Sequence, residues 1–460
     1  MKVHTKIGSM LSLAAVLVLS GCGSDSSDKS ETSISTAQKK TVLTTYADIA
    51  ETNYNDALSD AQAMQIAITA FAAAPDETTL AAAKAAWLTA RESYGTTEAF
   101  RLSEGPIDAE EGFATIYGAP EGQINAWPLD ENMIDYTQTN SSSEPTSGNI
   151  IDTADLFTPN GGSAVDVTTI TTSALAELNE NGGDANVATG YHAVEFLLWG
   201  QDQDYENFLN DTITNGALRA GERPLEDFDG TNANSDRRLE YLQAAADLIV
   251  EDLSTVAAAW DHSKPADCTV LPATGCYRAA FLGELDLNAT LAGNFENIAP
   301  DTALKTVISG LGVFIKSEVA NERIAVAVLT PSEEDEHSCF SDNTHRDIVL
   351  NYQGFVNILK GEYRGVSKGT SMYSLLDTTG KSAVDTLISD ISEKVAAIDS
   401  AARTSEHFDY QIKDGSAYKQ NIIDTKNKMR KLGDEMVNVA EAFDISLSED
   451  DVTDAEETEI

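Results

Sequence analysis

At 460 residues and a hydrophobic content of 42%, the chain has enough apolar material for real cores, which excludes a disordered or fibrous protein. Against 30 Lys+Arg stand 75 Asp+Glu, a formal charge of −45, so nucleic acid and anionic lipid surfaces are excluded as electrostatic partners. Cations are the natural counterpart of such a surface.

The first element is an export signal: Lys2 and Lys6 precede the apolar run Met10–Leu19, which is too short for a comfortable membrane span. The run ends in Leu19-Ser20-Gly21-Cys22, which resembles a bacterial lipoprotein processing site. Residues 1–21 are then a leader and Cys22 the lipidated first residue, held durably by several acyl chains. Gly23, where Asp would be a retention signal, resembles the enterobacterial pattern for the outer membrane, with the protein facing the periplasm. Residues 22–41, with six Ser between Gly23 and Lys40, read as a flexible tether.

From Val42 to Phe71 apolar residues recur at three- and four-residue steps, which predicts a long amphipathic helix stopped by Pro75. A second helix carries Leu80, Ala83, Trp87, Arg91 and Tyr94. Two polar inserts without periodicity, Thr137–Asp166 and Gln201–Asp236, flank a short helix at Thr168–Leu178 and a longer one from about Ala185 to Trp199. Another long helix is read from Leu239 to Trp260. Cys268 and Cys276 bracket a short loop and are the expected disulfide, which leaves Cys339 as a buried free thiol. Helices are then expected at Leu304–Leu329, Arg346–Leu359, Val384–Ala402 and Tyr418–Phe443. No stretch alternates long enough to build a sheet, so the fold class is all-α: two helical-bundle subdomains, about 42–262 and 300–445, on the pattern of an ancient duplication. Residues 446–460, with seven acids and no base, read as a disordered acidic tail.

The segment richest in chemistry is Gly190-Tyr-His192-Ala-Val-Glu195. Its spacing puts an imidazole and a carboxylate on one helical face, where both can reach one cation or simply hydrogen-bond to each other. A second acidic block supplies Glu336, His337, Asp342 and His345, either a second cation site or an ordinary interhelical loop. His262 and His407 read as structural or exposed.

The run Asn186 to Asp202 resembles the signature of the imelysin family of bacterial envelope proteins. So do Trp87-x3-Arg91-x2-Tyr94-x3-Glu98-x-Phe100-Arg101, Gly105-Pro-Ile-Asp108, Ile124-Asn-Ala-Trp-Pro-Leu-Asp130 through Asp135-Tyr136, and Asp335-Glu-His-Ser-Cys-Phe-Ser-Asp342-Asn-Thr-His345. The blocks span residues 42–445, the expected imelysin-like domain. The resemblance implies a two-bundle helical protein, often iron-regulated and implicated in iron acquisition, with the G-x-H-x-x-E helix beside its site. It carries over His192 and Glu195 as metal residues, with Glu98, Asp130 and Asp135 as further carboxylate candidates. The expected cofactor is a metal ion, iron or zinc, and the expected partners are that metal or an iron-bearing ligand, the membrane through the lipid anchor, and an envelope uptake complex. The family is also filed as metallopeptidases, which makes hydrolysis with His192 and Glu195 the alternative; docking to an uptake complex without a metal is the third reading. No H-E-x-x-H occurs, and a hydrolytic zinc site ordinarily needs three protein ligands, an open position and a general base.

Overall fold

The structure is a computed structural model and describes residues 33–137, 148–201, 220–269, 273–287, 295–329 and 336–454. The leader, Cys22 and most of the expected tether lie outside the described residues. The tether ends sooner than residue 41, because a helix, Thr36–Ala73, starts there. Ser35 and Gln38 form a reciprocal cap that satisfies the free donors of its first turn. One face of this 38-residue helix buries Val42, Leu43, Tyr46, Ile49, Tyr54, Met64, Ile68 and Phe71.

Only Ala74–Asp76 separates it from the Glu77–Tyr94 helix, so the two form a hairpin, with Asp76 capping the second through the backbone N–H of Thr79. The Gly190–Trp199 and Ser235–Trp260 helices complete the first packed group. The second group comprises Pro300–Val313 with its continuation to Leu329, then Thr344–Lys360, Thr378–Thr404 and Lys419–Ala442. Thr36–Ala73 touches Pro300–Val313, and Glu77–Tyr94 touches Thr344–Lys360, so the described residues from Ile34 onward make one compact unit. Among the described residues, extended structure amounts to two-residue pairs, Leu156–Phe157 with Val165–Asp166 and Glu362–Tyr363 with Val366–Ser367, both antiparallel, and a single bridge between Asp267 and Thr274. No helix among them is long and apolar enough to cross a membrane. Cys268 and Cys276 are joined, and Cys339 is buried and outside that disulfide.

Three expectations need correction. The helix read over Leu304–Leu329 does not keep one winding: Phe314–Ala325 is a π-helix, the wider coil often found beside functional sites. The polar insert Thr137–Asp166 is anchored where it is described, since Ile150, Ile151, Phe157 and Val165 are buried. The acidic tail is docked as far as Asp454: Val452 is fully buried against Gly312, Ser309 donates to the carbonyl of Asp451, and Asp454 N–H donates to Ser317. One apolar side chain with a receptive groove outweighs the solvation of its acidic neighbours.

Candidate functional site

The Gly190–Trp199 helix begins against another stretch of backbone. Gly190 has φ +82°, and a Cβ there would stand 2.2 Å from the carbonyl oxygen of Ile124, so only glycine fits. Two hydrogen bonds fix the approach: Trp87 Nε1 donates to the Tyr191 carbonyl at 2.9 Å and Tyr241 Oη to the Ala188 carbonyl at 2.6 Å. Every residue of this helix is buried. The i, i+3 spacing then brings His192 Nδ1 within 3.0 Å of Glu195 Oε2.

The opposing imidazole comes from the second acidic block. His337 Nε2 lies 3.0 Å from His192 Nε2, and the Trp127 ring packs edge-on against both rings. His337 Nδ1 is 2.6 Å from Asp347 Oδ2, which also accepts from Ser338 Oγ at 2.6 Å. Arg91 Nη2 donates to Asp347 Oδ1 at 2.8 Å, while Ser341 donates its N–H and hydroxyl to Glu195 Oε1 at 3.0 and 2.7 Å. Glu195, His192, His337 and Asp347 therefore form one chain in which each ring nitrogen has a partner. His337 opens on a cleft of about 520 Å³ lined by Asn125, Trp127, Glu318 and Arg323.

Burial would raise the Asp347 carboxyl, but Arg91 and then His337 outweigh it and hold Asp347 well below the usual carboxylate range. Asp347 is ionised, so His337 keeps its proton on Nδ1 and presents a lone pair from Nε2. Burial, with Arg323 next, lowers His337 to about 4, and burial, with His337 next, holds His192 well below its ordinary value. Burial pushes Glu195 up to about 8 against the Ser341 hydrogen bonds. A protonated Glu195 donates to His192 Nδ1, which puts the His192 proton on Nε2, aimed at His337. Once Glu195 ionises, His192 Nδ1 must carry the proton, and two bare Nε2 lone pairs face each other. A cation between them removes that repulsion, and carboxylates on both Nδ1 atoms are the usual support of metal-binding imidazoles.

Of the other residues singled out from sequence, Glu98 is buried among arginines, 3.2 Å from Arg323 and 3.8 Å from Arg91. Asp130 and Asp135 are not brought to His192. Asp130 caps the short helix Glu131–Ile134, and Asp135 is locked between Arg223, at 2.6 Å, and Arg238, at 2.7 Å. The expected set Glu336, His337, Asp342 and His345 does not act as one: His337 joins His192, His345 pairs with Asp399 at 3.6 Å, and Asp342 lies 3.0 Å from His407. His407, read as structural or exposed, is buried. Asp347, Ser338 and Ser341 were missed as site residues. The one signal for Asp347 was its place two residues after His345, on a helix start that turns it inward.

A family model described as imelysin matches residues 50–436. The fold is shared with the crystal structure described as an iron-regulated protein A precursor from Parabacteroides distasonis, at 19% identity and a TM-score of 0.60, covering 90% of this chain and 97% of that one. It is shared also with that of an imelysin-like protein from Psychrobacter arcticum, at 13% identity and a TM-score of 0.50, covering 90% and 98%. No curated protein sequence matches the chain.

Proposed function

Because this chain belongs to the imelysin family, we propose that it is a lipid-anchored envelope protein that binds iron or another metal ion, or an iron-bearing ligand, at His192 and His337 and acts in iron acquisition. The observation that carries this reading is the 3.0 Å approach of two Nε2 atoms whose Nδ1 atoms both rest on carboxylates. The donor set fits, since neutral imidazole nitrogens suit iron and zinc alike. His192 and His337 would be the ligands, with Glu195 and Asp347 orienting them. Two nitrogens leave coordination positions for groups reaching in from the cleft, which suits an ion that arrives with its own ligand. Docking to an envelope uptake complex follows as the delivery step. The description of the Parabacteroides protein as iron-regulated supports the iron assignment.

Hydrolysis is less well served. A general base must be directed at a water, whereas Glu195 gives one oxygen to Ser341 and the other to His192.

Protein purified without a tag should carry iron or zinc in stoichiometric amount, and His192→Ala and His337→Ala should each weaken binding of the added metal at least about tenfold. Metal-free wild type with no affinity for either ion would leave only a docking role. For the anchor, a palmitate analogue should label the wild type and not Cys22→Ser, which should move to the soluble periplasmic fraction. An unlabelled wild type would remove the anchor from the proposal.

A further inference from the structure

The cleft beside His337 holds two buried donors that the fold leaves unused. Asn125, which ends the short helix Glu121–Ile124, forms part of its wall and is 2% exposed, and Arg91 Nη1 donates to Asn125 Oδ1. A guanidinium can only donate, so this bond fixes which end of the amide is oxygen and turns Nδ2 away from Arg91. Among the described residues no acceptor reaches that Nδ2. Arg323, 8% exposed, reaches the same cleft from the π-wound Phe314–Ala325 segment. Its Nη2 serves Glu98 at 3.2 Å and Glu318 at 3.8 Å, while its Nε has no acceptor among the described residues either.

A buried donor without an acceptor is costly to keep, and two of them in one cleft with the His337 imidazole call for oxygen. A free anion would be poorly received. Arg101 is shared by Glu121 and Glu318 at 3.3 and 3.1 Å, and Arg323 by Glu98 and Glu318, so two guanidiniums face three carboxylates, with Glu322 and Asp454 also in the walls. An anion that arrives on a cation brings its own countercharge and escapes that repulsion. The cleft, at about 520 Å³, has the size of a small-molecule site. We propose, on the reading that His192 and His337 hold a metal ion, that the ion is taken together with one small oxygen anion, a carboxylate or carbonate, whose oxygens accept from Asn125 Nδ2 and Arg323 Nε. Ion and anion then raise each other's affinity by the same factor.

The test is equilibrium dialysis of the chelator-stripped full chain against radiolabelled citrate or radiolabelled bicarbonate, each alone and with Fe³⁺ or Zn²⁺, with bound metal measured in parallel. Wild type should retain one labelled anion per chain when metal is present and none when it is absent; which label stays behind separates a carboxylate from carbonate. Asn125→Asp keeps the oxygen that Arg91 holds and exchanges the donor for a second oxygen, whereas Arg323→Lys keeps the charge and removes Nε. Each should weaken retention of the anion at least about tenfold while the metal still binds. Wild type that binds metal and holds neither label would overturn the anion site and leave the metal site standing. A chain that binds no metal would overturn both. Label held equally without metal, or undiminished in both variants, would also overturn the anion site.

Discussion

The proton on Glu195 decides which tautomer His192 holds, and so whether the two imidazoles hydrogen-bond or repel. Because burial pushes this carboxyl up to about 8, the folded chain keeps a proton that the unfolded chain loses near the ordinary carboxylate value. The stability gained this way is complete below that ordinary value and disappears as the pH rises through about 8. Glu195→Gln keeps the neutral, donating form at nearly constant shape. Metal-free Glu195→Gln should therefore lose less melting temperature than wild type between about pH 5 and pH 8, while its metal affinity falls. A variant whose melting temperature tracks wild type across that range would show that Glu195 is ionised throughout.

At the scale of the element, the motif helix depends on how it starts. Thr189 is extended, Gly190 takes φ +82°, and the Ile124 carbonyl fills the space a side chain would need. Gly190→Ala must adopt a left-handed backbone and also push Ile124 away, at a cost of about 2–4 kcal/mol. Urea unfolding would measure the loss, and the same displacement should weaken metal binding because His192 is only two residues along. The π-wound Phe314–Ala325 segment contributes from the other side of the cleft: its Glu318 meets Arg101 at 3.1 Å and its Arg323 meets Glu98 at 3.2 Å.

Across the whole molecule the site is a seam. Arg91 comes from the first packed group and Asp347 from the second, and both are fully buried, so their ion pair ties the groups together at the chemistry itself. Breaking such a pair strands a buried charge, which makes Arg91 a fold residue as much as a site residue. The docked C-terminal segment fastens the second group within itself, with Val452 set against Gly312 just before the π-wound stretch. Val452→Ala should cost about 1–3 kcal/mol in urea unfolding; no change would mean that the segment contributes nothing to the fold.

Helix periodicity was legible because it is local: the stripes from Val42 to Phe71 and from Leu239 to Trp260 required no knowledge of what they pack against. The His192–Glu195 pairing was legible for the same reason, since an i, i+3 spacing on a helix is a distance. The alliance of His192 with His337, 145 positions apart, had no local signature. Asp135 read as a carboxylate for a metal until the fold supplied Arg223 and Arg238 around it. The sequence by itself determined which segments coil and which residues carry chemistry, because both are properties of neighbours along the chain. Only the tertiary structure decided which charges meet, because burial and long-range pairing set whether a carboxylate holds a metal, a proton or an arginine.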